Sequence, residues 1–170
     1  MKRLLLAATL SVLSATSAAA QTVILVRHAE KADQSSDPVL SAAGEDRARA
    51  LAADLPDASM DLVIVTPLQR TRMTAAPTAS ANHITPTEIG FDGGAAAHVA
   101  AVVERVRAQP ADSTVLVVGH SNTIPLIVRG LGAQSADMAD CEYDRLTVVV
   151  LGDGSPVTIN SRYGLPSTCE

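Results

Sequence analysis

Two histidines of the chain each follow a run of apolar residues that is typical of a buried β-strand. Arg27-His28 comes directly after residues 23–26, and Gly119-His120 comes after residues 114–118. Neutral imidazole is a good nucleophile near neutral pH, and attack through it splits one difficult transfer into two easier steps. A guanidinium offers a fork of donors that matches phosphate oxygens. The Arg27-His28 pair therefore indicates attack on phosphorus, with a packed histidine beside a surface arginine as the alternative.

A second arginine of the same kind is Arg70. It is expected about one turn into a helix that follows the second apolar run, so its side chain can reach back toward the sheet. Arg72 lies two residues further on and projects from roughly the opposite side of such a helix. We therefore expect Arg70 to bind the phosphoryl group and Arg72 to face solvent.

His120 has the same local setting as His28. Gly119 allows a tight turn after the strand, and Ser121 or Asn122 could cap a following helix. The N-terminus of that helix would add partial positive charge beside a bound anion. His120 is then a candidate donor to a phosphoryl oxygen, and a packed turn histidine is the alternative.

Strand-like and helix-like segments alternate along the chain and must position these residues. Strands are predicted at 23–26, 61–65, 84–89 and 114–118, and helices at about 40–55, 67–79, 95–108 and 122–130, with a closing hairpin at 146–151 and 157–160. The pattern predicts a single-domain three-layer α/β/α fold with a mostly parallel sheet. Ligands of such sheets bind at the carboxyl ends of the strands, where the candidate residues lie. Arg47 and Arg49 are expected to be exposed on the first helix.

Taken in order, the motifs resemble those of the histidine phosphatase superfamily, the phosphoglycerate-mutase-like group. Arg27-His28 resembles its Arg-His-Gly signature, with Ala29 in place of glycine. Thr66-x-x-x-Arg70-x-x-x-Thr74-Ala75 is similar to its second arginine motif, and Gly119-His120 to its second histidine. Leu40-Ser41-x-x-Gly44 is similar to a recurring helix start, and the resemblance spans about residues 23–131.

The resemblance implies a metal-independent phosphomonoester hydrolase that works without a cofactor. His28 would carry the phosphoryl group as a phosphohistidine, while Arg27, Arg70 and His120 would form the phosphate pocket. The implied substrate is a small phosphorylated compound. A catalytically weak binding protein for phosphorylated ligands and a protein phosphohistidine phosphatase remain alternatives, and mutase activity is disfavoured because the chain is short. The four histidines lack the spacing of a zinc site.

The proton donor to the leaving group is the least defined residue of the predicted site. Relatives of the mutase branch place a glutamate between the second arginine and the second histidine, and this interval contains Glu88 and Asp92. Asp92 follows the third predicted strand, at the expected edge of the sheet. We prefer Asp92 to Glu88, and the third alternative is that neither residue serves.

The first twenty residues have the pattern of a secretory signal peptide. A basic start at Lys2 and Arg3 precedes a short apolar run and a small-residue site at residues 18–20. We expect a leader at 1–20, a catalytic domain at 21–170 and a periplasmic or secreted protein, with an anchor or a first helix as alternatives. Removal of the leader leaves 11 basic and 18 acidic residues and a formal charge of −7, which disfavours nucleic acid as a partner. No other stretch predicts membrane insertion.

Cys141 and Cys169 are the only cysteines in the sequence. In an exported protein they are expected to pair, and two free thiols are the alternative. The bridge would attach the C-terminal segment to the body of the domain.

Overall fold

A computed structural model describes residues 19–169, and the predicted leader at 1–20 lies outside this range except for Ala19 and Ala20. The described residues form a sheet and four helices. The strands are β1 (Gln21–Arg27), β2 (Leu62–Val65), β3 (Thr87–Glu88), β4 (Thr114–Gly119), β5 (Arg145–Leu151) and β6 (Val157–Arg162). The helices are α1 (Ala42–Asp54), α2 (Gln69–Ala81), α3 (Gly94–Arg107) and α4 (Ile124–Gly130).

The sheet has the strand order β3-β2-β4-β1-β5-β6. β3, β2, β4 and β1 run parallel to their neighbours, whereas β5 and β6 are antiparallel additions. In the register between β1 and β4, Arg27 lies opposite Gly119. The carboxyl ends of these two strands therefore coincide, and the residues that follow them are neighbours.

Alternate side chains of the buried strands face opposite sides of the sheet, as the pleat of a strand requires. Val23 and Leu25 belong to a core that also contains residues of α3 and α4. Ile24 and Val26 belong to a second core that contains residues of α1 and α2. Helices thus cover both faces, and the predicted three-layer α/β/α fold is confirmed.

The starts of α2 and α4 and the length of β3 differ from the predicted ones. β3 is shorter than expected, because Pro86 has no N–H to continue the ladder. α2 begins at Gln69, two residues after Pro67, and its first N–H donates to the carboxylate of Asp37 at 2.8 Å. α4 begins at Ile124, so Ser121 and Asn122 precede its N-cap, Thr123, and neither caps it.

Arg47 also differs from expectation, because it is buried whereas Arg49 is exposed as predicted. The Arg47 guanidinium pairs with the Glu30 carboxylate at 2.7 Å and donates to the carbonyl of Tyr163 at 2.9 Å. The alanine-rich helix predicted an exposed side chain at this position, but the half-buried carboxylate of Glu30, in a loop distant in sequence, pairs with Arg47 and holds it against the domain.

The segment after α4 is fixed by a covalent bond. Cys141 and Cys169 form a disulfide, as expected from their context. The hydroxyl of Ser167 accepts from the backbone N–H groups of Tyr143 and Asp144 at 2.8 and 3.0 Å. No helix among the described residues has the length and apolar character needed to cross a membrane.

Candidate active site

His28 lies immediately beyond β1 and is 4% exposed. Its backbone N–H donates to the carbonyl of Gly119 at 2.9 Å, which continues the pairing of β1 with β4. Its Nδ1 lies 2.8 Å from the carbonyl oxygen of Ala29. A carbonyl only accepts, so Nδ1 carries the proton and Nε2 keeps a free electron pair. Burial is the main cause that lowers the pKa of His28 to about 3, and Arg27 and Arg70 contribute. The ring is therefore neutral, which is the nucleophilic form.

The loop after His28 is held by two polar contacts. The backbone N–H of Ala29 donates to the hydroxyl of Thr74 on α2 at 2.9 Å. Glu30 forms the ion pair with Arg47 on α1 described above. A Cβ at Gly44 would lie 2.3 Å from the carbonyl oxygen of Glu30, so the close approach of α1 requires glycine there. The helix-start motif and the second arginine motif thus both orient the nucleophile.

His120 follows β4, and its ring centroid lies 5.3 Å from that of His28. Its Nε2 lies 3.2 Å from the hydroxyl of Thr66. The side chain is largely buried. Burial is the main cause that lowers the pKa of His120 to about 3, with contributions from His28 and Arg70. Two neutral imidazoles therefore face each other at the edge of the sheet.

Arg27 is 5% exposed, and one end of its guanidinium is fixed. Nη1 donates to the carbonyls of Ala139 and Asp140, and the guanidinium carbon lies 4.1 Å from the centre of the Tyr143 ring. Nε is buried without a hydrogen-bond partner among the described residues. Burial lowers the pKa of Arg27, but the guanidinium remains charged.

Arg70 stands in the first turn of α2, as the sequence predicted. Its Nε and Nη1 are buried and have no hydrogen-bond partner within residues 19–169. The carboxylate of Asp37 is 3.9 Å from Nη1, which is an ion pair without a hydrogen bond. Buried donors without partners cost free energy, and an anion with several acceptor oxygens would satisfy them.

These side chains line one open cavity of about 310 Å³. Its walls are formed by Arg27, His28, Lys31, Leu68, Arg70, Phe91, His120, Ser121, Asn122 and Asp140. Four of the five predicted site residues, Arg27, His28, Arg70 and His120, are therefore brought together. No three His, Cys, Asp or Glu side chains of the described region are arranged to hold a metal ion.

Asp92, the fifth, is exposed in the turn before α3 and is not part of the wall. Its carboxylate is near Gly90, and the ring of Phe91 takes the place that faces the cavity. Glu88 pairs with Arg72 at 3.3 Å, and both side chains are well exposed, as predicted for Arg72. Asp92 was expected to lie at the site, and the structure instead places it outside the wall of the cavity.

The carboxylate that does line the cavity belongs to Asp140, which sequence reasoning missed. It accepts from the Ser121 hydroxyl at 2.7 Å and lies 3.8 Å from Nη2 of Arg27. Tyr143 was missed as well. Both stand in an irregular segment, residues 131–144, whose apolar periodicity is too weak to predict a position. The signal that could have found them is the cysteine between them, since its bridge fixes this segment.

One segment of the chain matches a protein-family model. Residues 23–90 match the model described as the histidine phosphatase superfamily, branch 1. The matched region contains the nucleophile motif, the helix start at Ser41 and the second arginine motif, all of which the site uses. The resemblance to the histidine phosphatase superfamily is therefore confirmed over residues 23–90. The prediction of a phosphoglycerate-mutase-like histidine phosphatase is confirmed at this level.

Solved structures of histidine phosphatases share the whole fold with this chain. A protein from Nakamurella multipartitia, provisionally described as the phosphohistidine phosphatase SixA, is 25% identical with a TM-score of 0.56, covering 86% of this chain and 96% of that one. A phosphoserine phosphatase from Entamoeba histolytica is 17% identical with a TM-score of 0.60, covering 85% and 98%. A mycobacterial glucosyl-3-phosphoglycerate phosphatase is 16% identical with a TM-score of 0.58, covering 86% and 99%. No curated protein matches this chain significantly.

Proposed function

We propose that this histidine phosphatase hydrolyses phosphomonoesters through a phosphohistidine on His28. The observation that carries the proposal is the pairing of a neutral His28, with Nε2 free, and unpartnered guanidinium nitrogens of Arg27 and Arg70 in one cavity. A neutral nucleophile beside unsatisfied cationic donors is what phosphoryl transfer needs. A protein that only bound phosphorylated ligands would have no use for a buried, oriented nucleophile.

In the first step Nε2 of His28 attacks phosphorus, the bond from phosphorus to the ester oxygen breaks, and the departing oxygen takes a proton from water. Arg27, Arg70 and His120 hold the non-bridging oxygens, where charge develops in the transition state. In the second step water attacks the phosphorus of phospho-His28, the bond from phosphorus to nitrogen breaks, and phosphate and free His28 are formed. We assign no proton-donor role to Asp92 or Glu88, because neither lines the cavity.

The experiment that tests this function is phosphate release from an aryl phosphate in the presence of a chelator. The matched pair is His28→Asn and His83→Asn, because His83 is exposed and remote from the wall of the cavity. We expect release by the wild type and by His83→Asn, and loss of at least about 1,000-fold in His28→Asn. Release that is unchanged in His28→Asn, or that needs the chelated metal, would overturn the mechanism.

A protein phosphohistidine is the second candidate substrate. The likeness to the Nakamurella protein and the open mouth of the cavity favour it. Hydrolysis of a phosphohistidine-containing protein with a kcat/KM well above that for small esters would support this candidate. A lower kcat/KM than for small esters would contradict it.

The periplasm or the extracellular space is our proposed location. It rests on the signal-like residues 1–20 and on a disulfide, a bond that persists in oxidising compartments. Fractionation of cells that express the full chain, with the cleavage site read from the N-terminal sequence of the product, tests it. A product that starts at Met1 in the cytoplasmic fraction would contradict it.

A further inference from the structure

The cavity that contains His28 is called the phosphate cavity from here on. A second cavity adjoins it and is larger, about 510 Å³. The two share Ser121, Asn122 and Asp140, so a molecule bound in one can extend into the other. We call the second one the leaving-group cavity. The remaining residues of its wall are Pro125, Leu126, Arg129, Asp137 and Met138. Its volume lies within the range of about 300–1,000 Å³ that is usual for small-molecule sites.

The charges of the leaving-group cavity do not balance. Arg129 pairs with Asp137 at 3.1 Å, so these two largely neutralise each other. Asp140 has no cation of its own in this wall, since its nearest one, Arg27, belongs to the phosphate cavity. The side chains of Asp140 and Asp137 are 92% and 90% exposed, and both carboxylates can therefore meet a ligand.

Asp140 stays ionised in this setting. The hydrogen bond from Ser121 is the main cause that lowers its pKa, and Arg27 contributes. When a bound phosphate dianion pairs with Arg27, it neutralises the positive charge of that guanidinium. The negative charge of Asp140 then acts on the rest of the substrate with little compensation by a cation. The carboxylate of Asp140 therefore repels a second anionic group of a bound substrate and attracts a cationic group.

Three side chains in the wall of the leaving-group cavity are apolar. Pro125 and Met138 are buried, and Leu126 is an exposed large hydrophobic side chain at 40%. A cavity wall that contains both carboxylates and apolar side chains complements a short alkyl chain that ends in an ammonium group. They do not complement a carboxylate or a second phosphate.

We propose that the leaving-group cavity binds the alcohol part of the substrate and selects phosphomonoesters of amino alcohols over esters that carry a second anionic group. The proposal rests on the proposed function, since it assumes that the phosphoryl group occupies the adjoining cavity.

Competition against hydrolysis of the aryl phosphate tests it without requiring turnover of the competitor. The probes are O-phosphoethanolamine, ethyl phosphate and 3-phosphoglycerate, which have the same phosphoryl group and a cationic, a neutral and an anionic remainder. We expect the inhibition constants to rise in that order, with roughly tenfold or more between the first and the last.

Three variants make the test specific. Asp140→Asn is expected to reduce the preference for phosphoethanolamine over 3-phosphoglycerate by about tenfold. Arg129→Gln is expected to increase the preference, because it leaves Asp137 uncompensated. Asp153→Asn makes the same charge change as Asp140→Asn in the turn after β5, at the opposite end of β1 from His28, and should leave the preference unchanged.

Failure of the proposal is distinct from failure of the proposed function. Absence of aryl phosphate hydrolysis, or hydrolysis that survives in His28→Asn, rejects the function. Hydrolysis that depends on His28, combined with equal inhibition by the three probes, inhibition by none of them or a preference unaffected by Asp140→Asn, rejects the leaving-group cavity alone. Thermal unfolding of each variant identifies any that fail to fold. The order of the three inhibition constants measured with the wild type decides the proposal without any variant.

Discussion

The hydroxyl of Thr66 lies 3.2 Å from Nε2 of His120 and also 2.9 Å from the hydroxyl of Thr71. Thr71 has backbone carbonyls of Thr66 and Leu68 at 2.9 Å, so its own proton goes to one of them. The proton of Thr66 then goes to Thr71, and Nε2–H of His120 donates to Thr66. Nδ1 is therefore the nitrogen left for a ligand, and it donates to a phosphoryl oxygen only after His120 takes up a proton.

Tungstate binding at pH 7.5 is accordingly expected to take up about one proton, because Nδ1 of His120 must gain one to donate. Thr66→Val removes the acceptor, so a neutral His120 can turn its single N–H toward the ligand and the uptake disappears. We expect kcat to fall about 10- to 100-fold in this variant. Calorimetry in buffers of different ionisation enthalpy measures the uptake, and Thr66→Ser is the control that keeps the hydroxyl. Wild-type binding without proton uptake would contradict the hydrogen-bond assignment.

Acid should destabilise the domain through its two buried histidines. The pKa of each falls from the ordinary 6.5 to about 3 on folding. The unfolded chain then binds more protons between these values, so stability present above pH 6.5 is lost as pH falls toward 3. The two groups together contribute a slope of up to about 2.7 kcal/mol per pH unit. Urea unfolding from pH 7 to pH 4 should show a shallower slope in the double variant His28→Asn/His120→Asn than in the wild type. Equal slopes would exclude this contribution, and His83→Asn serves as the control.

The disulfide is expected to support both stability and phosphate binding. The double variant Cys141→Ser/Cys169→Ser should lower the free energy of unfolding by about 3–4 kcal/mol, on the loop-entropy model for this separation. It should also weaken tungstate binding, because the Ala139 and Asp140 carbonyls that hold Arg27 lie beside Cys141. Denaturant unfolding and calorimetry measure the two effects. Unchanged tungstate affinity in a folded double variant would show that the bridge does not support Arg27.

Arg47 and Arg49 offer a matched comparison on one helix. Arg47→Ala leaves the carboxylate of Glu30 without its partner, and we expect a loss of about 3–5 kcal/mol in stability. Arg49→Ala removes only exposed ion pairs with Glu45 and Asp46, and we expect a loss below about 1 kcal/mol. Urea unfolding of the two variants checks the contrast, and similar losses would contradict the buried role of Arg47.

Gly44 and Gly154 offer a second matched comparison. Gly44→Ala would bring a Cβ against the carbonyl of Glu30, which displaces the loop after His28 and should lower stability and kcat together. Gly154→Ala places its Cβ in open space and should be close to neutral. Thermal unfolding and aryl phosphate hydrolysis are the measurements. A neutral Gly44→Ala would mean that α1 can move away without disturbing the nucleophile.

Strand ends are the part of the site that the sequence predicts well. The apolar runs before His28 and His120 are long enough to identify buried parallel strands, and their carboxyl ends must share an edge of the sheet. Arg70 was predictable because a helix after a strand has a known direction. Arg47 was not, because the burial of a charged side chain depends on a partner, Glu30, that is distant in sequence. Asp140 was not, because only the fold and the disulfide bring residues 131–144 over Arg27.

Residues at strand ends and residues of the segment 131–144 have different roles in the site, and this separation has an evolutionary consequence. Strand ends and the start of α2 carry the four side chains that would perform the reaction, whereas a connecting loop outside the sheet carries the groups that would choose among substrates. Loops accept insertions and exchanges far more readily than buried strands do. Descendants of such a chain can acquire new substrates by exchanging side chains of this loop, and the inherited chemistry stays intact as long as the backbone carbonyls of Ala139 and Asp140 continue to hold Arg27.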